Sequence, residues 1–146
     1  KATAEKMIVS MGVQVLVFDA LQDFFEGLKL EQQEGFMAWQ KSLIKRYPVI
    51  LININHFSKG ATGGQGSRGA SATEEGFQGT SSIYKSGSAN IILSRNKEAE
   101  TEAERNTTSV MLAKCRWSGE TGPAGKVIYD NETHTLKRFV EQDSEY

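Results

Sequence analysis

Two apolar runs in this chain each end in a side chain suited to phosphate chemistry. Val13-Gln-Val-Leu-Val-Phe-Asp19 closes on a carboxylate, and Val49-Ile-Leu-Ile-Asn-Ile-Asn-His56 closes on an imidazole. Two cations, Lys114 and Arg116, alternate along a later run of strand type, so both point to one side of it. Continuous Val/Ile/Leu runs are the pattern of strands covered on both faces of a parallel sheet. Such sheets bind ligands just beyond the carboxyl ends of their strands, where Asp19 and His56 are expected. The arrangement fits the second half of a nucleotide-hydrolysing domain. The first half, with its phosphate-binding loop, is not in the sequence.

The elements that must position these residues can be read in order. Ala2 to Met11 predicts a short helix ending near Gly12, and the first buried strand follows to Asp19. Ala20 to Lys29 leaves the strand as a loop or short helix whose Phe24, Phe25 and Leu28 can cap the core. Glu31 to Tyr47 is the clearest helix: Phe36, Trp39, Leu43, Ile44 and Tyr47 recur at helical spacing, and Pro48 stops it. A helix between two parallel-type strands is a βαβ crossover, so the class is α/β.

Gly60 to Ser82 changes character, with seven of the 14 glycines, many Ser, Thr and Ala, and few apolar residues. A stretch this long without structure is expected to be a functional loop or a linker. Ile83 to Lys85 suggests a helical turn, and Ala89 to Leu93 a third strand ending near Arg95. The charge run Lys97 to Arg105 reads as a solvated turn. Ser109 to Cys115 and Lys126 to Tyr129 are strands separated by the turn Ser118 to Gly125. Thr135 to Val140 adds an edge strand, and residues 141–146 form an acidic tail.

Composition sets the limits. At 146 residues and 38% hydrophobic, the chain can form one domain with a real core. A net charge of -1 means that any nucleic-acid contact is local. The single Cys115 excludes a disulfide framework, and one Cys with two distant His argues against structural zinc, so a reducing, cytoplasmic setting is expected. No apolar stretch approaches the roughly 20 residues that span a bilayer, and no membrane role is expected. Lys1 stands directly inside a helical pattern, which suggests a piece of a longer polypeptide.

Two glycine patterns are lookalikes. Gly64-Gln-Gly66-Ser-Arg-Gly69 matches G-x-G-x-x-G, but it opens no apolar-periodic helix, and no acidic residue ends a second strand about 20 positions on. Gly125-Lys126 imitates the end of a G-x-x-x-x-G-K-[ST] loop, but Glu120 stands where its first glycine belongs and Val127 where its Ser/Thr belongs.

The remaining pieces align with one family. In order they are Leu16-Val-Phe-Asp19, Ile50-Leu-Ile-Asn-Ile-Asn-His56, a glycine-rich loop, Gly79-Thr-Ser-Ser-Ile83 and Ile91-Ile-Leu-Ser-Arg-Asn96. Lys114-Cys-Arg-Trp-Ser-Gly-Glu-Thr-Gly-Pro-Ala-Gly125 and Tyr129-Asp-Asn-Glu-Thr133 complete the series. From about Gly12 to Phe139 the chain resembles the C-terminal half of the RecA-like motor of hexameric replicative DNA helicases. That is the DnaB-like group, and the likeness is to its bacteriophage primase–helicase branch. The resemblance implies an α/β, RecA-like P-loop NTPase core with a mostly parallel central sheet and a C-terminal antiparallel hairpin. Residues 1–140 would be a partial motor domain lacking the Walker A half, with residues 57–82 as the DNA-binding channel loop.

The resemblance also implies roles. Asp19 matches the Walker B aspartate, which holds Mg²⁺ through water on a bound ATP or dTTP; a hard cation on triphosphate needs such an oxygen ligand. Capping of the next turn is the alternative for Asp19. His56 matches the residue that senses the γ-phosphate, since an imidazole can donate to a phosphate oxygen; a backbone-satisfied histidine is the alternative. Lys114 and Arg116 match cations that reach the neighbouring subunit's γ-phosphate, unless they are merely solvated strand residues. Tyr129 matches the aromatic that stacks on the nucleotide base, with core packing as its alternative, and Arg95 a basic residue near the base or sugar. Lys59 and Arg68, with Lys85 just beyond, would supply the loop's contacts to single-stranded DNA. The implied partners are single-stranded DNA and further copies in a hexameric ring, with an attached primase left open.

Departures limit what the chain can do alone. The Walker A Lys and Ser/Thr and the upstream water-activating glutamate are missing. Gly76-Phe-Gln78 stands where Asp-Leu-Arg is usual, and Ser88 where relatives often carry an acid. An isolated chain is therefore expected to bind ATP poorly and hydrolyse it negligibly. Two other readings stay open: a recombinase or clock-type RecA relative, and a non-catalytic or split-gene module that binds a partner or single strands.

Overall fold

A computed structural model describes residues 1–56 and 81–139. Lys59, Arg68, the pattern Gly64 to Gly69, nearly all of the expected channel loop and the acidic tail lie outside the described residues. The chain is mixed α/β and divides into two compact units, Lys1–Ser86 and Gly87–Tyr146.

In the first unit α1 (Ala2–Met11) ends at Gly12, whose left-handed backbone (φ 66°) closes the helix as glycine does at least cost. Strand β1 (Val15–Phe18) leads through a 3₁₀ turn (Leu21–Phe25) to α2 (Leu30–Arg46) and then to β2 (Ile50–Asn53). At the start of α2 the Gln32 side chain accepts from the Lys29 backbone N–H at 2.8 Å, satisfying a donor the helix leaves open. The strands pair in parallel, Val15 with Ile50 through Phe18 with Asn53, which is the expected crossover. A short helix, α3 (Ser81–Ser86), inserts Ile83 into the core formed by Phe18, Leu21, Phe25 and Met37. A second cluster joins Ile8, Leu43 and Val49.

Two expectations are corrected here. The apolar runs are not covered on both faces: Val15, Val17, Ile50 and Ile52 are 48%, 54%, 63% and 45% exposed, while Phe18 is buried. Among the described residues, one face of the pair packs on α2 and the 3₁₀ turn and the other is bare. The buried stripe of α2 is Met37, Gln40 and Leu43, with Phe36 and Trp39 beside it, while Ile44 is exposed. Phe24, at the rim, packs edge-on against the buried Phe18 with ring centroids 5.3 Å apart and so caps the core as expected, beside the buried Phe25.

The second unit is an antiparallel sheet in the order β3 (Ala89–Arg95), β4 (Thr107–Cys115), β5 (Gly122–Asp130), β6 (Thr135–Arg138). Among the described residues parallel pairing is thus confined to β1 and β2, and the third strand belongs to the antiparallel sheet. The expected turn from Ser118 to Gly125 is shorter, because β5 already begins at Gly122. A bulge makes this possible: the register steps from Val110–Gly125 to Met111–Pro123, so Pro123 enters the strand at an irregularity.

The charge run is also more than a turn. It contains α4 (Glu102–Asn106), capped by Thr101, whose hydroxyl accepts the Glu104 N–H at 3.2 Å while the Glu104 carboxylate accepts the Thr101 N–H at 3.3 Å. That Thr-x-x-Glu spacing is a helix-start signal legible in the sequence. Among the described residues no helix is long and apolar enough to cross a membrane.

Candidate functional site

The parallel register of the first unit decides where Asp19 and His56 lie. Its last pair is Phe18 with Asn53, so Asp19 follows directly on β1 and His56 stands three residues past β2. The chain ends stay together beyond the strands: the Ile54 N–H donates to the Phe18 carbonyl (3.0 Å), and the Leu21 N–H donates to the Ile54 carbonyl (2.7 Å). Gln22 Nε2 donates to the His56 carbonyl at 3.2 Å. Asp19 and His56 therefore occupy the same carboxyl edge of the sheet, both exposed.

Neither the Asp19 carboxylate nor the His56 ring has a hydrogen-bond partner among the described residues, so neither is used up in capping a turn. The peptide bond after Asp19 is cis. No cluster of three or more His, Cys, Asp or Glu among the described residues could hold a metal by itself. A single open carboxylate does suit Mg²⁺, which keeps several waters and takes one or two carboxylates together with substrate phosphates.

Two residues at this edge escape sequence reasoning. Gln22 ties the exit of β1 to the exit of β2. No spacing rule marks it, because its partner is set by how the two strand ends approach. Gln40, in the buried stripe of α2, makes two reciprocal side-chain amide hydrogen bonds of 2.9 Å with Asn53. The signal for Gln40 was present: a polar residue inside an apolar helical face needs a partner. A shallow depression of about 400 Å³ opens nearby, lined by Gln22, Asp23, Phe25, Glu26 and Gln33, and neither Asp19 nor His56 lines it.

In the second unit the remaining candidates divide between the two ends of the sheet. Lys114 lies on β4 opposite Asn90, and Arg116 is one residue past the strand, its N–H donating to the Ser88 carbonyl at 2.8 Å. Between them the Cys115 thiol is drawn below its ordinary value by hydrogen bonds from the Ser118 side chain and backbone. Arg95 closes β3 opposite Thr108, and Thr108 faces Val127, two residues before Tyr129. Arg95 and Tyr129 thus share the other end. At about 3.4 Å per residue, the six positions from Thr108 to Lys114 separate the ends by about 20 Å. Lys85 belongs to α3 of the first unit and is exposed.

Tyr129 is half-buried, and its hydroxyl lies 3.0 Å from His134 Nδ1 across the β5–β6 turn. Asp130 builds that turn. Its carboxylate accepts the N–H groups of Glu132 (2.9 Å) and Thr133 (3.0 Å) and pairs with Lys137. The Lys137 ammonium and these donors hold the Asp130 carboxyl well below the usual carboxylate range. Asn131 Nδ2 donates to Glu102 at 2.8 Å and braces the turn on α4.

No family model matches the chain. It is similar to the DNA helicase/primase of Enterobacteria phage T3, at 25% identity over 135 residues, which is 90% of this chain and 23% of that protein. The chain spans less than a quarter of that relative's length.

Proposed function

We propose that this chain is the C-terminal part of the RecA-like motor of a bacteriophage-type replicative DNA helicase. In the complete ring, ATP or dTTP with Mg²⁺ binds between subunits, and its hydrolysis drives the channel loops along single-stranded DNA. Asp19 holds the Mg²⁺ through water, and His56 reports the state of the γ-phosphate. Lys114 and Arg116 act on the nucleotide of the next subunit, where a cation offsets the charge that develops on the transferred group. Tyr129 stacks on the base, with Arg95 nearby.

The observation that carries this reading is the shared edge. A carboxylate and an imidazole stand beyond the carboxyl ends of two adjacent parallel strands, both open to a ligand. The separation of Lys114 and Arg116 from Arg95 and Tyr129 supports it further. Groups about 20 Å apart on one sheet cannot meet on one phosphate, which suits a division between a γ-phosphate contact and a base contact. The similarity to a phage helicase/primase points the same way. A free-standing single-strand-binding module is the competing reading; the bare apolar face of β1 and β2 counts against it, because such a face needs cover.

The test is Arg116→Ala in the complete enzyme. DNA-stimulated hydrolysis is expected to fall on the order of 10³-fold while nucleotide binding persists. Unchanged turnover would remove the role in trans.

A further inference from the structure

His134 occupies a backbone conformation that its residue type adopts at a cost. Its φ is 53°, in the left-handed region that glycine enters freely, and it is the one non-glycine residue there among the described residues. A side chain at such a position points to something gained by having it. The gain visible here is one contact: Nδ1 lies 3.0 Å from the Tyr129 hydroxyl, with the two ring centroids 6.3 Å apart at 44°.

We infer that His134 is the positioning residue for the base-stacking face of Tyr129, an inference that rests on the nucleotide reading given above. The turn that carries it is rigidly built, by the Asp130 carboxylate on two backbone N–H groups and by Asn131 on Glu102. His134 is thereby a fixed post, and its bond to the hydroxyl limits rotation of the half-buried Tyr129 ring. The two rings are already in contact, so no base fits between them. A nucleotide base meets only a free face of Tyr129, and the hydroxyl, engaged by His134, is not offered to it. Stacking on a face held in place costs less ordering on binding than stacking on a ring that must first be fixed.

The experiment is steady-state hydrolysis by the complete enzyme, reading KM for the nucleotide and kcat separately, together with a thermal melt of each variant. Tyr129→Ala removes the stacking face and is expected to raise KM about tenfold or more. His134→Gly relieves the left-handed backbone and is expected to keep the melting temperature while raising KM between about two- and tenfold, the size of one net hydrogen bond. Its kcat should hold. His134→Asn, a residue that tolerates this backbone and carries a side-chain amide, should recover KM. In a Tyr129→Phe background, which has no hydroxyl to hold, His134→Gly should change nothing further.

An unchanged KM in His134→Gly beside a raised KM in Tyr129→Ala would overturn this inference and leave the nucleotide reading standing. So would an equal rise in KM from His134→Gly in the Tyr129→Phe background. An unchanged KM in Tyr129→Ala would remove base stacking itself, and this inference with it.

Discussion

Gln40 and Asn53 are joined by two reciprocal amide hydrogen bonds of 2.9 Å, and the two partners are not equivalent. Gln40 is 2% exposed inside the helix α2, whereas Asn53 is exposed at the end of β2, three residues before His56. The pair fixes the helix to the strand end that delivers the imidazole.

The asymmetry predicts unequal mutational costs. Asn53→Ala leaves a buried amide without its partner and should destabilise by about 1–3 kcal/mol. Gln40→Met replaces the buried amide with an apolar chain of similar length, and the exposed Asn53 turns to water, so its cost should stay below about 1 kcal/mol. Urea denaturation midpoints of the two variants check the order, and an equal loss would mean that Asn53 is not solvated in the variant.

Acid should loosen the packing of α1 on α2. The Glu5 carboxylate receives Arg46 Nη1 and Nη2 at 2.9 and 3.0 Å and Trp39 Nε1 at 2.9 Å, and these donors lower its pKa from 4.5 to about 2. A pKa depressed by folding gives stability that is present above the unfolded value and is lost as pH falls through the folded one. The first unit should therefore lose stability between about pH 4.5 and pH 2. Glu5→Gln should flatten that part of the profile. The readout is Trp39 fluorescence in a Trp117→Phe background, against denaturant, at several pH values.

The bare face of the parallel pair predicts self-association of the 146-residue chain. Val15 faces Ile50 and Val17 faces Ile52 across the ladder, which makes one contiguous apolar patch. Val17→Lys with Ile52→Glu places an opposite-charge pair on the exposed face. It should shift sedimentation velocity toward monomer without changing the far-ultraviolet dichroism. Sedimentation as a monomer before any substitution would show that the patch does not drive association.

This patch marks where sequence reading reached and where it stopped. The runs Val13 to Asp19 and Val49 to His56 announced adjacent parallel strands, the crossover helix and the edge where Asp19 and His56 stand. A run of β-branched residues records that both faces are apolar, and cannot record which polypeptide covers each. The aromatic and aliphatic spacing in α2 gave the helix within one residue at each end, but it placed Ile44 in the core and passed over Gln40. Periodicity counts apolar side chains and is blind to a buried amide satisfied from a strand 13 residues away. The Tyr129–His134 bond was illegible for a related reason: it depends on the turn that sets His134 at a left-handed position beside Tyr129, which spacing along the chain does not specify.

Asp19 and His56 share an edge, yet their substitutions should behave differently. On the reading proposed above, Asp19→Asn in the complete protein keeps the size of the side chain and removes the charge assigned to holding Mg²⁺. The loss of a metal contact worth several kcal/mol corresponds to a fall in turnover on the order of 10³-fold. Added Mg²⁺ should restore part of it, because a site of weakened cation affinity fills at higher cation concentration. The contact proposed for His56 is a hydrogen bond donated by its imidazole to a phosphate oxygen, which an amide also can donate. His56→Gln should therefore retain much more activity than His56→Ala. Hydrolysis rates across a Mg²⁺ titration separate the two roles. A loss in Asp19→Asn that is independent of Mg²⁺ concentration would move the metal to another ligand, and equal losses in the two His56 variants would deny the imidazole its contact with phosphate.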